Sequence, residues 1–211
     1  MKQPNFFYLI AAYGCMLIIG ASCNNSESKK NEIIVPKDTV VAEKPVVETK
    51  RGPVINIDDT VSVKRIVLTM KDSALTPERV SLKLAEIYDV KLATIISSNK
   101  LKVTGMPMAW FKSQKPPYFF EAGLPVNKKP AKSIPEVFIK ETGIDSVLVA
   151  HFYGPYELLP QAYDVLDTLL KERKKKLKSS PYAIYVDPPN DSIGRPKNPY
   201  KVQTDVVYPW K

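Results

Sequence analysis

From residue 53 onward, apolar and polar positions alternate in short runs that predict strands. Val147, Val149, His151 and Tyr153 alternate with Leu148, Ala150 and Phe152, the period of two that gives a strand two faces. Residues 66–70 form a second apolar strand. Residues 54–57 and 137–140 read as hairpin partners of these two, turned at Asp58-Asp59-Thr60 and at Thr142-Gly143-Ile144-Asp145. Twice the pattern changes to a helical period. Thr76-Pro77-Glu78-Arg79 supplies an N-cap, a proline at the first helical position and an acid in the first turn, and Val80, Leu84, Ile87 and Ile95 give an apolar face. A second helix is predicted over about residues 159–177, with Leu159, Ala162, Tyr163, Leu166, Leu169 and Leu170 on one face. Its end carries Lys171, Arg173, Lys174, Lys175, Lys176 and Lys178, which suits the negative end of a helix dipole.

These elements repeat. Pro107-Met108-Ala109-Trp110-Phe111 is followed by a proline-containing loop and Tyr118-Phe119-Phe120-Glu121-Ala122-Gly123-Leu124-Pro125. Pro181-Tyr182-Ala183-Ile184-Tyr185 is followed by another such loop and Thr204-Asp205-Val206-Val207-Tyr208-Pro209. Each half then reads strand, strand, helix, strand, strand. The expected fold is α+β: two duplicated halves related by a pseudo-two-fold axis, an antiparallel sheet with helices on one face, and a central cleft.

The N-terminus reads as an address. Lys2 precedes a nearly unbroken apolar stretch over residues 6–20, of signal-peptide length and short for a membrane span. It ends in Gly20-Ala21-Ser22-Cys23, which resembles the bacterial lipoprotein lipobox. That resemblance implies a signal peptide over 1–22 and a lipid on Cys23. Residues 24–52 are polar, mixed in charge and free of aromatics, so 23–52 reads as a lipidated cysteine and disordered tether. The globular domain is 53–211. Of the two cysteines, Cys15 leaves with the signal and Cys23 is lipidated, so no thiol remains for redox, disulfide or metal chemistry. The net charge of +9 suggests nucleic acid. A protein held outside the inner membrane meets none from the cytosol, so the expected partners are a membrane and a small ligand. No protein partner is specified.

The second half also resembles the GyrI-like, or bacterial transcription-activator effector-binding, family. The resemblance rests on Gly154-Pro155-Tyr156 before a helix, an aromatic strand ending near Asp187-Pro188, and Thr204-Asp205-Val206-Val207-Tyr208-Pro209. Glu121-Ala122-Gly123-Leu124-Pro125-Val126 matches that family's mid-domain strand more loosely. It implies a two-fold α+β fold whose cleft takes lipophilic, often cationic, small molecules. Some relatives hydrolyse small compounds. The family often has a buried glutamate where this chain has Ala183, so the resemblance implies neither cation recognition nor hydrolysis here. The expected ligand is apolar or amphipathic, lined by Phe111, Phe119, Glu121, Tyr153, Ala183, Tyr185 and Tyr208. Glu121 is the candidate replacement carboxylate. Alternation places Ala109, Phe111, Ala183 and Tyr185 on one face. His151, the lone histidine, reads as a hydrogen-bonded strand residue. No catalytic, metal or cofactor residue is nominated. The alternative is a protein-interaction module with a filled cleft, and a small-molecule hydrolase comes third.

Overall fold

The structure, a computed structural model, describes residues 51–211. The signal peptide, Cys23 and nearly all of the tether lie outside the described residues. Eight strands form one antiparallel sheet: β1 (Val54–Val61), β2 (Arg65–Ala74), β3 (Met108–Phe111), β4 (Tyr118–Val126), β5 (Phe138–Thr142), β6 (Ser146–Tyr153), β7 (Tyr182–Tyr185) and β8 (Gln203–Pro209). Their order is β1-β6-β8-β7-β3-β4-β2-β5. The fold is α+β with its helices on one sheet face, as the sequence predicts. Among the described residues no helix is long and apolar enough to cross a membrane.

The first helix starts where Thr76 caps it, its hydroxyl accepting from the Arg79 amide at 3.3 Å. It runs from α1 (Pro77–Ala85) through a π-helical segment (Glu86–Leu92) into α2 (Ala93–Ser98). The π segment holds extra residues per turn and shifts the phase of the apolar face. Leu92 and Ile96 are therefore buried, and Ile95, expected on that face, is only half-buried. The second long helix, α3 (Pro160–Glu172), stops earlier than predicted. Lys174 takes a positive φ of 53°, and Leu177 makes an isolated bridge to Trp210. Lys171 lies in the last turn of α3 and Arg173 caps it, whereas the rest of the basic run leaves the helix and is drawn towards the end of β8.

The hairpin pairings require correction. β1 pairs along its whole length with β6, and β5 pairs with β2. Asp58, Asp59 and Thr60 are strand residues of β1, not a turn. The two outer strands are exchanged between halves, and this fixes the shape of the sheet. In a flat sheet of this order, β1 and β2 would lie roughly 29 Å apart, and so would β5 and β6. Residues 62–64 and 143–145 must bridge those gaps, and four extended Cα steps reach only about 14 Å. The sheet therefore curls until its ends meet. Ser62 closes the meeting point: its hydroxyl donates to the Gly143 carbonyl at 2.9 Å and accepts from the Asp145 amide at 3.0 Å.

The curl gives two kinds of core. On the helix face, Leu68, Phe120 and Leu124 pack with Val80, Leu84 and Ile87 under the first helix. Leu148, Phe152 and Val206 pack with Leu166 and Leu170 of α3. On the inner, helix-free face, Val67, Met108 and Trp110 meet Val147, Val149, Tyr182 and Val207. This third cluster is shared most evenly between the halves; the other two each take in a partly buried side chain from the other half, Tyr185 on the first and Ile55 on the second.

Candidate functional site

The centre of the helix face is a row of small side chains. Register places Ala122, Ala109, Ala183, Val206 and Ala150 side by side across β4, β3, β7, β8 and β6, all fully buried. Small residues in the middle of a sheet leave a trough between the two helix blocks, and tyrosines fill it. Tyr185 of β7 has Tyr88 from the π segment at 6.2 Å between ring centroids and Tyr156, from the turn before α3, at 6.1 Å. Tyr163 of α3 lies 6.1 Å from Tyr208 of β8. Phe111 and Phe120, 5.7 Å apart, close the other end.

Two of these five tyrosines are anchored through their hydroxyls. Tyr88 donates to the Met108 carbonyl at 2.9 Å, and Tyr208 donates to the Tyr163 carbonyl at 3.3 Å. The Tyr163 hydroxyl and Thr204 Oγ1 are buried without a hydrogen-bond partner among the described residues. Gln114 stands near the first and Tyr156 near the second, neither in bonding geometry. Burial pushes the phenols of Tyr88, Tyr163 and Tyr185 up, so all three stay protonated donors. A buried hydroxyl without a partner costs free energy that a ligand would recover. Tyr156, Tyr185 and Phe111 are half-exposed and form the mouth.

The structure splits the nominated residues between the faces. Phe111, Ala183, Tyr185 and Tyr208 lie on the helix face, with Ala109 beside them as alternation requires. Phe119, Glu121 and Tyr153 project from the other face. Phe119 is 46% exposed. Glu121 accepts from the Thr69 hydroxyl at 2.5 Å and is paired with Lys140 at 2.7 Å. Burial raises its pKa, but the Lys140 and Thr69 hydrogen bonds outweigh this and leave it below the ordinary carboxylate value. It is an ionised, spoken-for carboxylate and supplies no charge to the trough. Tyr153 donates to Gln203 at 2.7 Å. His151 is held between Asp205 at 2.7 Å and Asp58 at 3.2 Å. The sequence reading nominated none of Tyr88, Tyr156, Tyr163 and Thr204. The seven-residue spacing of Tyr156 and Tyr163, which puts both on one side of a helix, was the available signal.

No protein-family model and no curated protein matches the chain. Solved structures do match it. The C-terminal domain of EcmrR superposes with a TM-score of 0.60 at 16% identity, over 75% of this chain and 98% of that domain. EcmrR in a DNA complex superposes equally well at 15% identity, over 75% of this chain but only 57% of that one. The fold is GyrI-like. This chain thus shares the fold of the C-terminal domain of EcmrR and spans little more than half of the longer EcmrR chain. SAV2435 bound to tetraphenylphosphonium is a looser match, with a TM-score of 0.46 at 12% identity over 75% of this chain and 94% of that one. Within this GyrI-like frame, Ala183 sits at the middle of the sheet, on β7.

Proposed function

We propose that the chain is a lipid-anchored envelope protein whose GyrI-like domain binds a neutral apolar or amphipathic small molecule, non-covalently, in the tyrosine trough. The unpartnered buried hydroxyls of Tyr163 and Thr204, on the face that carries the alanine floor, carry the reading. An aromatic-walled concavity with a few convergent donors is the usual form of a small-molecule site. Ala183 in place of a carboxylate favours a neutral ligand, because an apolar trough pays heavily to desolvate a cation that nothing balances. The two halves are proposed to be a duplication, and Cys23 the lipidated residue that holds the domain at a membrane. No nucleic acid is required by this reading.

Calorimetric titration with matched neutral and cationic aromatic compounds tests it. A neutral compound is expected to saturate, and Tyr163→Phe to weaken it by about tenfold, the worth of one recovered hydrogen bond. A cation is expected to saturate only in Ala183→Glu. Flat titrations with both classes would sink the trough as a ligand site. Metabolic labelling with palmitate, lost in Cys23→Ser, checks the anchor separately. A second reading, an interaction module, gains from the fact that the trough is already filled by tyrosine rings. It predicts flat titrations throughout.

A further inference from the structure

The inner face of the curled sheet holds a separate cavity of about 280 Å³, on the far side of the sheet from the tyrosine trough. Trp110, Tyr182 and Pro209 line it with apolar surface. The two rings are 5.4 Å apart and tilted by 39°. Lys140 lies over the Trp110 ring, 4.4 Å from its centroid, and Lys178 and Ser180 stand at the rim.

The charges at this rim are already matched. Lys140 pairs with Glu121, Lys178 with Asp145, and Glu141 with Lys129. A charged ligand must compete with one of these pairs, so the site offers little to an ion. It offers more to uncharged hydroxyls. Each ammonium keeps donors after serving one carboxylate. Ser179 and Ser180 also line the cavity. The Tyr182 hydroxyl has Arg65 and Asp145 nearby but no hydrogen bond among the described residues. The volume lies just under the roughly 300 Å³ at which drug-sized sites begin. That suits one ring, not a chain.

We infer that this cavity is a second binding site, for a neutral, hydroxyl-rich ring: a single sugar residue. Its hydroxyls meet Lys140, Lys178, Ser180 and the Tyr182 hydroxyl. The inference does not depend on the trough, which opens on the other face.

The full chain carrying Trp210→Phe, in a sugar-free detergent, leaves Trp110 as the only indole. It is titrated with glucose, galactose and N-acetylglucosamine, and with glucuronate and glucosamine as charged analogues. Trp110 fluorescence and saturation-transfer NMR of the sugars are followed together. At least one neutral sugar is expected to saturate in the millimolar range, with the charged analogues at least about tenfold weaker. Ser180→Phe, an exposed substitution that fills the cavity, abolishes binding, and Tyr163→Phe leaves it unchanged. The inference is overturned if no neutral sugar gives a saturable signal by either method. It is also overturned if binding survives Ser180→Phe, or if a charged analogue binds as tightly as its neutral parent.

Discussion

Thr204 is 1% exposed, and its hydroxyl gives up water without gaining a partner. Valine has nearly its shape and no polar atom, so Thr204→Val is expected to stabilise the domain by about 1 kcal/mol. The urea midpoint checks this, and a fall would mean that the hydroxyl is bonded in solution. The gain in stability and a loss of ligand affinity should arrive together, since the same unpaired group serves both. His151 makes the opposite case, a polar residue with more partners than it needs. Burial lowers its pKa, but the hydrogen bond and charge of Asp205, and then those of Asp58, outweigh this and hold it above its ordinary 6.5. A pKa raised by folding means that the protonated form is the one stabilised. The contribution is fully present below pH 6.5, where the unfolded ring is also charged, and is lost as pH rises through the folded value. The stability advantage of the wild type over His151→Gln is therefore expected to be largest in mild acid and to shrink above neutrality. Denaturant melts across that range read it out. An advantage that grows with pH would show that the ring is held neutral.

Among the elements, the π segment decides which isoleucine matters. An uninterrupted α-helix from Pro77 would bury Ile95 with Ile87; the π segment buries Ile96 and leaves Ile95 half-exposed. Ile96→Ala is expected to cost about 2–4 kcal/mol and Ile95→Ala under about 1.5. The reverse order would mean that the helix is regular in solution. The same contrast marks what could be read in the sequence. Thr76-Pro77 announced the helix start, because capping is local chemistry. Alternation assigned Ala183 and Tyr185 to one face, because a strand has only two faces; Glu121 was placed with them and points the other way. Neither signal says which strand lies next door. Asp58-Asp59-Thr60 and residues 142–145 read as hairpin turns, yet the first is strand and the short connectors at 62–64 and 143–145 join strands that are not neighbours. The tyrosine trough was hidden for a related reason. Periodicity reads Tyr163 as an ordinary helix-face residue and passes over Tyr88, and only the sheet centre, with its alanines, turns them into walls.

For the whole molecule, the exchange of β1 and β5 makes each half depend on the other. The buried residues of the two helix-side clusters each come from one half, over residues 68–126 and 148–208, with Tyr185 packed on the first and Ile55 on the second. Judged by them alone, either half could fold. The inner cluster argues otherwise, since Val67, Met108 and Trp110 are covered by Val147, Val149, Tyr182 and Val207. A fragment of residues 51–130 loses the β5 partner of β2, leaves β1 unpaired and exposes those three side chains to water. Fully burying each such side chain stabilises by about 1.5–3 kcal/mol, so the loss approaches the 5–15 kcal/mol that holds a typical domain together. The fragment 131–211 loses β1 from the edge of β6 and the opposite wall of the same cluster. Neither fragment is expected to show a cooperative thermal transition by circular dichroism. An equimolar mixture should recover one, together with the near-ultraviolet signal of Trp110 against Tyr182. If one fragment alone melts cooperatively, the exchanged strands are an ornament on two independent halves, and the curl of the sheet is not what binds them into one fold.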